Sequence, residues 1–229
     1  MCGRYSLFTP QVKLVNRFGA TPEQPLTSRY NCAPGQELPV ITTEHPDRMQ
    51  FFKWGFTPRW AKKSFDMINA RAESVRSKRS FSDAYKSRRC LVIADGFYEW
   101  VETDDGEKQP YRVAFADDRP FAMAGLYEEW TPPTQQTGLA DFGAGGDTTP
   151  ETVTSFTIIT TEPNELIADL HHRMAVILSP DEEQKWLTAD PDTAEPLLDP
   201  YPDDELQAYP ISTRVNSPAN DDRSIIEPV

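Results

Sequence analysis

The chain has 229 residues, 38% hydrophobic and 11% aromatic, with a formal net charge of −13. That length suits one large domain or two small ones with a substantial core, no apolar run approaches the ~20 residues of a membrane span, and the first residues lack a signal-peptide pattern. Its three cysteines, Cys2, Cys32 and Cys90, are widely spaced, which argues against a disulfide framework or a structural zinc site and makes the cytoplasm the expected location.

The chain opens Met1-Cys2-Gly3-Arg4. Methionine is normally removed before a residue as small as cysteine, and Cys2 would then carry an α-amine and a thiol on adjacent carbons. The amine titrates near ~7.7–8.0 and the thiol near ~8.5, poised to become thiolate. Such a pair traps aldehydes: the amine forms a Schiff base and the thiol closes a five-membered thiazolidine. The thiol can also attack as a nucleophile with its own amine as base. Taken alone, Cys2 would in most proteins be simply the second residue of a frayed tail.

Thr9 is expected to cap a short helix with Pro10 at its first position and Val12, Leu14, Val15 and Phe18 along it. A polar loop over 19–29 and a turn-rich stretch, Tyr30 to Gly35, precede strands at 38–41 and 49–54. Trp60 stands among Arg59, Lys62 and Lys63. An aromatic amid cations suits base stacking on single strands; taken alone it is also a half-buried loop anchor. A helix is expected from Ser80, with Phe81, Ala84 and Tyr85 on one side.

Cys90 to Ala94 has the character of a buried strand. After an Asp95-Gly96 turn, Phe97 to Val101 is its expected hairpin partner. Glu99 then shares a face with Phe97 and Val101. If that face points inward, desolvation raises the Glu99 pKa toward use as a general acid; if it points outward, Glu99 is a solvated residue on an edge strand. Further strands are expected at 110–115, 121–127, 156–160, 175–178 and 211–215, and a short helix at 164–170. Residues 131–153, rich in Thr, Pro, Gly, Gln and Asp, suggest a flexible surface insertion within a single domain, not a boundary. Ser179-Pro180-Asp181-Glu182 is a capping box. Of His171 and His172, adjacent at a helix-to-strand junction, at most one is expected to be catalytic. The third histidine, His45, is distant in sequence. No repeat, phosphate-binding glycine loop or metal-spaced cluster is present, so neither metal nor cofactor is expected.

Charge is unevenly distributed. Residues 53–89 hold eleven basic and three acidic side chains, a net +8, against −21 for the rest of the chain. One basic segment on an acidic body suits a phosphate binder whose surface is adapted to high salt; the same cations could simply decorate a helix.

Six motifs occur in one order: Met1 to Tyr5, Tyr30-Asn31-Cys32-Ala33-Pro34-Gly35, Trp54-Gly55-Phe56, Asn69-Ala70-Arg71-Ala72-Glu73, Gly96-Phe97-Tyr98-Glu99-Trp100 and His171-His172-Arg173-Met174. Together they resemble the SRAP family (SOS response-associated peptidase), whose members shield abasic sites in single-stranded DNA. The resemblance implies a compact, β-rich α+β domain with short peripheral helices and a positively charged groove. It implies that Cys2 links covalently to the abasic sugar and that Asn69, Glu99 and His171 form the polar active-site group. It also implies that Arg4, Trp60, Arg71 and Arg79 contact DNA. The expected partner is single-stranded DNA containing abasic sites, and the expected state a monomer. Ala175 replaces the proline that usually follows Arg-Met in the family. Two other readings stay open: an N-terminal-nucleophile thiol hydrolase (a self-processing peptidase or glutamine amidotransferase), and a non-catalytic single-strand binding module.

Overall fold

The computed structural model describes residues 2–133 and 150–229. Residues 134–149, most of the surface insertion expected at 131–153, lie outside the described residues. In chain order the strands begin with β1 (Tyr5–Leu7), β2 (Thr21–Pro22), β3 (Arg29–Cys32), β4 (Glu37–Thr42) and β5 (Arg48–Trp54). Then come β6 (Asn69–Arg71), β7 (Arg89–Ala94), β8 (Gly96–Glu102), β9 (Lys108–Phe115) and β10 (Phe121–Trp130). The last are β11 (Val153–Thr161), β12 (Met174–Ala175), β13 (Ile177–Leu178) and β14 (Leu206–Pro210). Six short helices intervene among the described residues: α1 (Gln11–Phe18), α2 (Ala72–Val75), α3 (Ser82–Ser87), α4 (Glu165–Ala168), α5 (Pro180–Thr188) and α6 (Pro191–Ala194). The architecture is the β-rich α+β fold with short helices that the sequence suggested.

The larger sheet closes on itself. Antiparallel pairing runs from β11 through β10, β7 and β4 to β5, and β5 returns to β11 in parallel through Ser155–Lys53 and Phe156–Trp54. Closure removes the exposed edges that an open sheet would carry. β7 lies inside this ring and is buried along its whole length, as its unbroken apolar run requires. The second sheet has the order β14-β9-β8-β1-β3. Tyr5 of this sheet lies 5.2 Å, ring to ring, from Trp54 of the barrel, so an aromatic contact joins the two layers.

The hairpin expected between residues 90–94 and 97–101 does not form. β7 pairs with β4 and β10 in the barrel, whereas β8 pairs with β1 and β9 in the second sheet. Asp95 and Gly96 mark the crossing between sheets. Asp95 is no turn residue: its buried carboxylate accepts hydrogen bonds from Ser6 Oγ (2.7 Å), Phe8 N (2.6 Å), Thr9 N (2.9 Å) and Thr9 Oγ1 (3.1 Å). Gly96 is required because a Cβ there would stand 2.7 Å from Nε of Arg112, whose Nη2 donates to the Asp95 carbonyl at 2.8 Å. The same network corrects the first helix. With Thr9 held by Asp95, the helix begins at Gln11 after Pro10 and ends on Gly19, left-handed at φ 65°.

Two other expectations shift. Tyr30 to Cys32 belongs to β3 and not to a turn. The last strand lies upstream of the expected 211–215: it is β14, and Val215 sits in a 3-10 turn, Thr213–Asn216, which begins where the Ser212 side chain accepts from Arg214 N at 3.3 Å. The capping box is present, with Ser179 N donating to the Glu182 carboxylate at 2.9 Å.

Candidate active site

Cys2 enters the fold just ahead of β1, which is an inner strand of the second sheet and fixes the path of the residues before it. Cys2 is fully buried. Asn69, at the start of β6, donates from Nδ2 to the Cys2 carbonyl at 2.9 Å, while its Oδ1 is buried without a hydrogen-bond partner among the described residues. β6 can reach Cys2 because it pairs in parallel with β11 at the barrel rim, Asn69 opposite Ile158.

Glu99 arrives on β8, opposite Tyr111 of β9. The inward reading holds: Glu99 is 1% exposed beside fully buried Phe97. Burial lifts its pKa from 4.5 to about 7, the shift expected when a carboxylate loses water. The nearby Glu99 charge adds to burial in pushing the Cys2 thiol well above its ordinary range. The readiness to become thiolate that the sequence suggested is therefore not what the fold favours; the group is held as a thiol.

His171 follows α4, which Asn164 caps by accepting from Ile167 N at 3.0 Å. Its Nδ1 stands 3.0 Å from Arg173 N and 3.2 Å from the Arg173 carbonyl, so the backbone of that residue fixes the ring's orientation. Burial also lowers the His171 pKa, favouring that neutral form. His172 is exposed, its ring stacked 4.2 Å from that of His171. Glu99 and His171 line one cleft of about 410 Å³ with Trp100, Lys108 and Asn216. The structure thus brings Cys2, Asn69, Glu99 and His171 together.

The expected DNA-contacting residues lie in three settings. Arg71 is exposed at the end of β6, two residues from Asn69 and on the same strand face. Trp60 and Arg79 stack on each other, guanidinium to ring centroid 4.5 Å, and line a separate cleft. Arg4 is turned inward, donating to Asn31 Oδ1 (2.7 Å) and the Val215 carbonyl (2.8 Å).

Several supporting residues escaped the sequence reading. Buried Asn31 donates from Nδ2 to the carbonyls of Val215 (3.2 Å), Ser217 (3.0 Å) and Asn220 (2.6 Å). That fixes the segment bearing Asn216, whose Oδ1 accepts from Trp100 Nε1 at 2.8 Å in the cleft wall. Glu73 and Arg173 join two motifs through a bidentate ion pair, one leg at 3.0 Å, and Arg173 also donates to the Thr160 carbonyl. Asn31, Glu73, Trp100 and Arg173 lie inside the quoted motifs; nothing in the sequence marks Lys108 or Asn216. Among the described residues no group of His, Cys, Asp and Glu is placed to hold a metal, and no helix is long and apolar enough to cross a membrane.

A family model described as SOS response associated peptidase (SRAP) matches residues 1–218. The chain is 39% identical over 237 residues to the abasic site processing protein YoqW of Bacillus subtilis (strain 168), covering 99% of each. It is 33% identical to the abasic site processing protein HMCES of Gallus gallus, covering 87% of this chain and 66% of that one. Of solved structures, a protein from Bacteroides thetaiotaomicron matches over 100% of both chains with a TM-score of 0.84 and 28% identity. With a family match over nearly the whole sequence and relatives of this similarity, the chain belongs to the SRAP family.

Proposed function

We propose that this protein recognises abasic sites in single-stranded DNA and shields them through a covalent thiazolidine formed by Cys2. The names of its relatives support the substrate. The observation that carries the chemistry is the buried Glu99 carboxyl, with a pKa of about 7, beside a Cys2 held by Asn69. A carboxyl half-protonated at neutral pH can give and take one proton within a single reaction.

The sequence of steps starts with loss of Met1, which makes the α-amine that of Cys2. His171 donates toward the ring oxygen of the abasic deoxyribose as the ring opens to an aldehyde at C1′. The Cys2 amine adds to C1′, giving a carbinolamine. Glu99 protonates the departing hydroxyl, water leaves, and an iminium forms that keeps its N–H. The Cys2 sulfur then adds to C1′, its proton passing to the Glu99 carboxylate and the nitrogen ending as a secondary amine. The net change is amine plus thiol plus aldehyde giving thiazolidine and one water. The open imine would invite β-elimination and strand scission; ring closure removes that electrophile. Asn69 keeps the Cys2 backbone in place through these steps.

Intact mass after incubation with an abasic single strand tests this reading. The expected product is protein lacking Met1 plus one strand minus one water. Adduct formation by protein that retains Met1 would sink the mechanism, because the amine would belong to the wrong residue. Ammonia released from glutamine, without any adduct, would instead favour a thiol hydrolase.

A further inference from the structure

His171 and His172 are consecutive, yet their surroundings differ. His171 is half-buried and lines the cleft with Glu99, Trp100, Lys108 and Asn216, whereas His172 is exposed and stands outside that wall. Among the described residues His172 makes no hydrogen bond and no ion pair. What it touches is a ring: the two imidazoles lie face to face, centroids 4.2 Å apart and planes inclined by 30°.

The backbone prepares this contact. It bends at His172, between His171, whose N–H donates to the Ile167 carbonyl at 2.8 Å, and Arg173, which is buried. The bend lets both side chains come to one side of the chain, where an extended stretch would send them to opposite faces. An exposed polar ring that no hydrogen bond holds would gain rotamer freedom by turning into water; the stacked face is what retains it.

The His171 ring is therefore steered at two places. At its edge, Nδ1 meets the Arg173 backbone, 3.0 Å from N and 3.2 Å from the carbonyl. A contact at one edge atom leaves a ring able to swing about it, and a second ring laid on its face opposes that swing. Because His172 comes from outside the cleft wall, it covers a face of His171 without taking up room that a substrate needs.

We infer that His172 is a positioning residue, whose ring backs His171 and holds it in place to donate toward the ring oxygen of the abasic sugar. The inference rests on the reading of Cys2 as the trap for an abasic aldehyde, and it deepens that reading by adding a residue that acts only through His171. Proton donation has a narrow geometry, so loss of the supporting face costs rate and not affinity.

Two single strands test it. One carries an ordinary abasic site; the other carries its aldehyde on an acyclic linker that cannot close into a sugar ring, and so needs no help from His171 in opening one. With protein in excess, His172→Ala should slow adduct formation on the abasic strand by about three- to tenfold, the range a stacked ring pair is worth. Its dissociation constant for that strand should stay unchanged. The acyclic strand should react as with wild type, which also shows the variant folded and Cys2 intact. His172→Phe keeps a flat face and should restore the rate, whereas His172→Lys offers a cation without a face and should not. In a His171→Ala background, His172→Ala should add nothing. Equal slowing of both strands, a loss confined to affinity, or rescue by Lys and not by Phe overturns the inference, the last two because His172 would then be a phosphate contact. Wild type that forms an adduct with neither strand sinks the Cys2 reading and this one with it. Wild-type rates on both strands with His172→Ala sink this one alone.

Discussion

A buried carboxyl group weakens the fold when it ionises, and Glu99 makes that cost measurable. Its pKa is about 4.5 when solvated and about 7 in the folded chain. The folded state therefore holds the proton more tightly, so the contribution is favourable at low pH and is lost as pH rises from about 4.5 through 7. At ~1.4 kcal/mol per unit the full swing is about 3 kcal/mol. Glu99→Gln should accordingly be more stable than wild type at pH 8, by up to about 3 kcal/mol, and no more stable at pH 4, as read from urea unfolding at both values. The same substitution should slow adduct formation and remove the decline in rate expected of wild type as Glu99 loses its proton above about pH 7. An unchanged rate profile would deny Glu99 its role as acid. Cys2→Ser keeps the amine and offers only a weak hydroxyl. It should still give a Schiff base that borohydride traps, yet lose the heat-stable adduct and show more strand cleavage than wild type. Equal protection of the strand by Cys2→Ser would make the thiol dispensable.

At the level of elements, the site depends on contacts between segments far apart in sequence. Glu73 follows β6, Arg173 precedes β12, and their pairing sets the strand bearing Asn69 against the turn bearing His171. Arg173→Met should lower stability by about 2 kcal/mol, since it leaves the Thr160 carbonyl without its charged donor, whereas Glu73→Gln should cost less than about 1 because Glu73 is half exposed. Thermal unfolding of the two variants orders them; a larger loss for Glu73→Gln would reverse the account. Most strands were legible, because apolar runs such as Cys90 to Ala94 and Phe156 to Thr160 have one simple explanation. Pairing was less so. Asp95-Gly96 has the composition of a hairpin turn, and only the three-dimensional position of Ser6 and Thr9 turns that aspartate into a sheet-crossing anchor. Within the site, Cys2, Asn69, Glu99 and His171 were marked by motif, but Lys108 and Asn216 reach the cleft through strand register and a 3-10 turn that no local pattern announces. The inward turn of Arg4 was equally hidden, since an arginine beside a nucleophile gives no sign of whether it faces solvent or a buried asparagine.

For the molecule as a whole, charge has to be judged by what is left unpaired. Within the basic segment Lys53, Arg59, Arg76 and Arg88 are tied into ion pairs, and Arg89 is buried against backbone carbonyls. Exposed Lys62, Lys63, Arg71, Lys78, Arg79 and Lys86 have no ion pair among the described residues, and they are what a strand would meet. Arg71→Ala and Arg79→Ala should each weaken single-strand binding regardless of sequence and flatten its salt slope by about one unit; titrations across salt concentrations would read this, and unchanged slopes in both would move the groove elsewhere. The position of β1 carries a consequence for timing. Its residues leave the ribosome before those of its partners: its neighbour β8 lies some ninety residues later, and Arg4 is fastened to Val215, 211 positions on. At ~5–20 residues per second, the start of the chain waits on the order of ten seconds or more before its final partner exists. That wait is the window in which an aminopeptidase can reach Met1. On the proposed mechanism the Cys2 amine would thus be made ready during synthesis, before the fold that would use it has closed.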